Sequence, residues 1–125
     1  MIPEDLHYSQ EHEWVRIDED VATVGITDYA QDQLGDIVYV DLPEVGHVVE
    51  AGTVVGELES TKSVSDVFSP VAGEVIAKND GLEGGPEVVN SDPYGEGWLF
   101  KIRTGSENPI DGLLAPEAYA AIIAG

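Results

Sequence analysis

Cations are scarce in this chain, with 5 Lys and Arg against 25 Asp and Glu, so each lysine amine has to be placed with care. Lys62 stands in the run Glu59-Ser60-Thr61-Lys62-Ser63-Val64-Ser65-Asp66-Val67, and the nearest other basic side chain is Lys78. Its neighbours Thr61 and Ser63 are small and leave the amine unshielded. A β-rich segment lies on each side, Thr53 to Leu58 before it and Val64 to Phe68 after it. Two strands meeting at a small polar tripeptide predict a hairpin. Lys62 then sits at the apex with its amine in water, which is the presentation an acylating enzyme needs. Solvated lysines are common, so the apex setting singles Lys62 out, not the residue type. Lys78 and Lys101 fall within or beside predicted strands.

Other chemistries find little support. His7, His12 and His47 have no paired metal spacing, and with no cysteine there is no thiolate site, disulfide frame or cysteine nucleophile. Carboxylates are so frequent that no single pair marks acid–base catalysis. Gly84-Gly85 reads as a turn, and no phosphate-binding glycine loop is present. Holding phosphates takes clustered Lys and Arg, so a formal net charge of −20 disfavours nucleic acid and anionic membrane surfaces as partners. That charge suits solubility and attraction to basic protein patches. No apolar run approaches the length of a membrane span. The start, Met1-Ile2-Pro3-Glu4-Asp5, shows neither a signal peptide nor an Arg-rich transit pattern, so a cytoplasmic setting is expected.

The elements that must position Lys62 read as mostly β. Strands are predicted over 14–17 and 21–26, joined by an Asp18-Glu19-Asp20 turn, and over 37–42, 71–77 and 98–102. A short helix over 29–34 can be capped by Thr27 or Asp28 and stopped by Gly35. Asn79-Asp80-Gly81 reads as a turn. Pro116 opens a C-terminal helix over about 116–124. The chain of 125 residues is read as one domain, 1–125. Many short strands with Gly and Pro turns mean a sandwich or barrel.

The segment Glu59 to Val75 resembles the lipoyl-lysine motif of glycine cleavage system H proteins. Three further stretches match that family in order: His12-Glu13-Trp14-Val15; Val24 to Gln31 with Leu34-Gly35-Asp36; and Val89-Asn90-Ser91-Asp92-Pro93-Tyr94-Gly95-Glu96-Gly97-Trp98. The resemblance implies a mainly β hybrid barrel-sandwich of the lipoyl/biotinyl carrier type with short flanking helices. A biotinyl carrier is expected to place its lysine between methionines, whereas Thr61 and Ser63 stand here. A lipoyl domain of a 2-oxo acid dehydrogenase typically has Asp before its lysine.

By the same resemblance, (R)-lipoate is attached to Lys62 by a lipoate ligase or a lipoyl/octanoyl transferase. The arm carries an aminomethyl group from a glycine decarboxylase (P protein) to an aminomethyltransferase (T protein). A dihydrolipoyl dehydrogenase (L protein) then reoxidises it. The protein itself is a carrier, not an enzyme, and is expected to be a monomer; an alternative is a relay or scaffold that donates lipoate to other enzymes. Glu13, Ile26 and Asp66 match family positions that line the cleft for the arm, with the two acids expected to be partly exposed. Gln33 stands where some members place a histidine.

Overall fold

The computed structural model describes residues 2–104 and 112–124. Its strands form two antiparallel sheets. In the first, β1 (His7–Tyr8), β2 (Glu13–Asp18) and β3 (Val21–Ile26) lie in sequence order. β9 (Phe100–Arg103), β8 (Gly73–Lys78) and β5 (Val48–Val49) complete that sheet in the order β1-β2-β3-β9-β8-β5. The second sheet has three strands, β4 (Ile37–Asp41), β6 (Val54–Ser60) and β7 (Val64–Phe68), with β6 central. Short helices flank them: α1 (Asp28–Leu34), α2 (Val88–Ser91) and α3 (Pro116–Ala124). The two sheets stay separate, giving the mainly β barrel-sandwich hybrid read from the sequence, without a closed barrel. Among the described residues no helix is long and apolar enough to cross a membrane.

Apolar alternation builds the core. Ala22, Val24 and Ile26 of β3 face Ile102 and Phe100 of β9, Val75 of β8, and Leu58 and Val67 of the other sheet. A second cluster of Leu6, Tyr8, Trp14 and Tyr119 fastens α3 to the first sheet, with the Tyr8 and Tyr119 rings stacked at 4.7 Å. The Tyr119 hydroxyl shares hydrogen bonds with Thr27 Oγ1 (2.7 Å) and His12 Nδ1 (2.8 Å), so α3 also braces the start of α1.

Several boundaries differ from the sequence reading for local reasons. β2 runs through Asp18, and the turn shrinks to Glu19-Asp20, where Glu19 takes φ 56°. A two-residue hairpin turn needs such a left-handed residue. β8 begins at Gly73 because the Ser69 hydroxyl bonds the Val71 carbonyl (2.6 Å) and keeps the preceding segment in a turn. β9 begins at Phe100 because the Trp98 N–H closes a turn onto the Gly95 carbonyl (3.2 Å). Asn79-Asp80-Gly81 is a turn as read, tightened into a 3₁₀ helix over Asp80–Leu82 and capped by Asn79. In β4 an extra residue, Val38, bulges between the pairs Ile37–Ser60 and Tyr39–Glu59, which turns Val38 and Tyr39 both to solvent.

Trp14 is fully buried, donates its indole N–H to the Pro93 carbonyl (2.8 Å) and lies opposite Gly25 in the β2–β3 ladder. A Cβ on Gly25 would stand 2.6 Å from the indole. Overpacking of this kind costs about 1–3 kcal/mol. Gly25→Ala is therefore expected to lower the urea-unfolding free energy by about 2 kcal/mol. The loss should shrink in a Trp14→Leu background; an equal loss in both backgrounds would mean the indole is not what requires the glycine.

Candidate functional site

The hairpin predicted around Lys62 is present: β6 ends at Ser60, β7 begins at Val64, and Thr61-Lys62-Ser63 form the tip. Ser60 organises that tip. Its N–H donates to the Ser63 carbonyl (2.8 Å), and its hydroxyl oxygen accepts from the N–H groups of Lys62 (3.1 Å) and Ser63 (3.0 Å). A hydroxyl that replaces backbone turn bonds stabilises the turn without needing bulk. The tip is also tied sideways, since the Thr61 N–H donates to the Asp36 carbonyl (3.0 Å) in the connection between α1 and β4.

Lys62 is exposed, and its side chain lies along Gly35: a Cβ at Gly35 would stand 2.8 Å from Lys62 Cε. The remaining cations are engaged elsewhere. Lys78 meets Glu44 at 3.3 Å, Arg103 lies 3.9 Å from Asp20, Arg16 covers the Trp14 ring at 5.0 Å, and Lys101 covers Trp98 at 5.1 Å. Among the described residues, Lys62 alone of the five has no ion-pair or ring partner.

Beside the hairpin is a cleft of about 270 Å³, lined by Glu13, Ile26, Leu34, Leu58 and Asp66 among others. The three residues expected there, Glu13, Ile26 and Asp66, are thus brought together from β2, β3 and β7. Glu13 and Ile26 are cross-strand partners. Gln33 also lines the cleft from α1. His12 and Tyr29 belong to the lining too; in the sequence His12 opens a family-matching stretch and shows no metal spacing, and nothing there marks it as a cleft residue. A larger cavity, about 550 Å³ near Val48 and Thr53, lies at the other end of β6. Roughly 20 Å of strand separates it from Lys62, so the smaller cleft is the one the hairpin tip adjoins.

The two acids differ, against the expectation that both are partly exposed. Asp66 is exposed, on the edge strand of its sheet. Glu13 is only 1% exposed, because the Ser9 hydroxyl donates to Oε1 (2.7 Å) and the Phe68 N–H donates to Oε2 (3.1 Å), drawing the carboxyl inward. Burial pushes the Glu13 carboxyl up to about 7; the bonds from Ser9 and Phe68 oppose that rise, and Glu11 adds to it. Burial lowers the pKa of His12, with Glu11 working against the shift.

The structure is thus a mainly β sandwich that presents Lys62 on a three-residue tip beside a cleft of mixed lining. The glycine cleavage H-protein family model matches residues 6–124. A glycine cleavage system H protein of Bacteroides thetaiotaomicron is 53% identical over 123 residues, covering 98% of each chain. One from Rubrobacter xylanophilus is 60% identical over 95% of this chain and 92% of its own. The crystal structure of a glycine cleavage system H protein from Mycobacterium marinum superposes with a TM-score of 0.90 at 39% identity, over 99% of this chain and all of that one. The chain belongs to the glycine cleavage H-protein family.

Glu13 makes stability depend on pH in an unusual direction. The folded protein holds this proton more tightly than the unfolded chain, whose carboxyl titrates near 4.5. The stability it contributes is full below about pH 4.5 and is lost as pH rises towards 7, by about 3 kcal/mol in all. Glu13→Gln has an amide that can accept from Phe68 and donate to Ser9, so it removes the titration while keeping the bonds. Unfolding free energies from pH 5 to pH 8 are expected to fall for wild type relative to this variant. Parallel pH profiles would mean that Glu13 ionises freely in the folded protein.

Proposed function

We propose that this chain is the lipoyl-lysine carrier of a glycine cleavage system, with (R)-lipoate joined through an amide to Lys62. In this reading 1–125 is one carrier domain, cytoplasmic and without catalytic residues. The observation that carries it is the setting of Lys62, an exposed and unpaired amine on a tip held by backbone and Ser60 hydrogen bonds. The lining of the neighbouring cleft fits the group. Ile26, Leu34 and Leu58 supply an apolar wall suited to a hydrocarbon chain and dithiolane, while the lining also includes the exposed Asp66 and the buried Glu13.

When attached, the group supplies a redox-active disulfide that accepts an aminomethyl unit at the P protein, yields it at the T protein and is reoxidised by the L protein. The chain's own residues do the rest. Lys62 loses its charge on acylation, so the arm can pass over apolar surface. Ile26, Leu34 and Leu58 shield that arm from water. Asp66 offers an exposed anion to a cationic cargo, with modest and salt-sensitive strength. Glu13, neutral or charged with nearly equal ease at pH 7, shifts towards its ionised form when a cation approaches.

Incubation with lipoate, ATP and a lipoate ligase, followed by peptide mapping, tests the reading. Wild type is expected to gain one lipoyl group on Lys62 and none on Lys78, whose amine is drawn to Glu44. Lys62→Arg is expected to gain none, to stay within about 0.5 kcal/mol of wild-type stability, and to support no glycine turnover with the partner enzymes. Lipoylation of Lys78 at a comparable rate, or turnover by a folded Lys62→Arg, would remove the carrier assignment.

A further inference from the structure

Asn90 lies in α2, far from the tip in sequence, yet its side chain makes three hydrogen bonds to the segment on which the tip rests. Its Oδ1 accepts from the Ile37 N–H at 2.8 Å. Its Nδ2 donates to the Gly35 carbonyl at 2.8 Å and to Gln31 Oε1 at 2.9 Å. One amide therefore grips the last turn of α1, the Gly35-Asp36 connection and the first residue of β4. Between the two gripped backbone groups lies the Asp36 carbonyl, the acceptor for the Thr61 N–H. Gly35, at φ 83°, leaves the space in which the Lys62 stem lies.

We infer that Asn90 is a positioning residue for Lys62: by fixing Gly35-Asp36 it sets where the hairpin tip, and hence the amine, is presented to the enzyme that acylates it. The backbone there needs such a fixture. The connection has two residues, one of them glycine in the left-handed region, and glycine is the residue with most freedom to lose. An asparagine side chain meets the requirement because it carries an acceptor and two donors on one planar group. A leucine of similar size would leave the Ile37 N–H and the Gly35 carbonyl without partners. The inference rests on Lys62 being the acylated residue, but its structural half does not.

Asn90→Ala and Gly35→Ala test it from opposite sides. The first frees the connection; the second leaves Asn90 intact and strains the connection itself, because a side chain rarely adopts the φ of 83° found at Gly35. Three readouts are taken on each folded variant and on wild type. Amide hydrogen exchange is expected to quicken at Thr61 in Asn90→Ala, while Ser60, bonded within the hairpin to Ser63, keeps its protection. With lipoate, ATP and a lipoate ligase, kcat is expected to fall about tenfold or more in both variants with KM within about twofold, as for a group displaced from its reaction geometry. Acetylation of Lys62 by acetic anhydride, which needs no docking, should keep its wild-type rate. Unchanged Thr61 exchange together with unchanged kcat in folded Asn90→Ala would overturn the inference. So would equal slowing of ligase and anhydride reactions, which would mark lost accessibility instead of lost placement. If Asn90→Ala does not fold, a wild-type kcat in Gly35→Ala overturns it. If wild type itself is not lipoylated, the carrier reading fails, and the exchange of Thr61 still decides whether Asn90 holds the tip.

Discussion

A buried carboxylate holds the two sheets in register where the cleft opens. No strand ladder joins them among the described residues, so apolar packing alone would leave their relative position loosely specified. Glu13 supplies a directional tie. It stands on β2 of the first sheet and accepts from the Phe68 N–H on the edge strand of the second, while its other oxygen takes the Ser9 hydroxyl. Leaving a carboxylate in this place without those donors would cost several kcal/mol. With them the group is tolerable, though its raised pKa shows that the donors do not fully replace water. An amide could accept from Phe68 and donate to the Ser9 hydroxyl without a pH-dependent penalty, so an acid here is a stability cost at neutral pH. Such costs concentrate at functional sites, and a group poised between neutral and charged would suit the cleft if, as proposed, it receives an apolar chain and a cationic cargo.

The parts of this architecture set by local chemistry are legible in the sequence. The Thr61-Lys62-Ser63 tip follows from two valine-rich runs around small polar residues, Gly35 marks the end of α1, and its start is readable as a cap at Thr27 or Asp28, of which the structure uses Thr27. Short pieces held by distant partners are not. β1 and β5 have two residues each, too few for alternation to register. α2 has four residues, and in a run containing Asn90, Ser91 and Asp92 the turn-forming composition masks it. The bulge at Val38 is a register event between β4 and β6, and no property of Ile37-Val38-Tyr39 taken alone predicts it. Glu13 was placed at the cleft through family resemblance, but its burial depends on Ser9 and on Phe68, which is 55 residues away.

Charge scarcity explains how one lysine stays available in so acidic a chain. With carboxylates on every surface, a flexible ammonium finds a partner unless its surroundings withhold one. Lys78 is held to Glu44, and Arg16 and Lys101 lie over tryptophan rings. Lys62 is flanked in the tip by the hydroxyl residues Thr61 and Ser63, its stem lies along Gly35, and Val38, Tyr39 and Val64 on the adjoining strands are each more than half exposed. Glu59 sits between Tyr39 and Val64 in the ladder, projecting from the strand and not from the tip.

A lysine that serves as an attachment point, as proposed for Lys62, faces opposed demands. The side chain must swing freely, yet the backbone beneath it must be fixed, because a transferase can act on the amine only where it expects to find it. Separating the two is a matter of which bonds are made. At the tip the hydrogen bonds fall on the main-chain groups of Ser60, Thr61, Lys62 and Ser63 and on the Ser60 hydroxyl. Freezing a long side chain costs up to about 2 kcal/mol of rotamer entropy, and an unpaired Lys62 avoids that cost. The backbone entropy is lost once, on folding, and is offset by the turn bonds and by the tie to Asp36. Because that tie reaches α1 and α2, whose contacts in turn reach the cleft wall, the tip is anchored to the structure that would receive the arm. Placement of the amine and placement of the cleft are thus set by one connected group of residues, and a shift in either would displace the other.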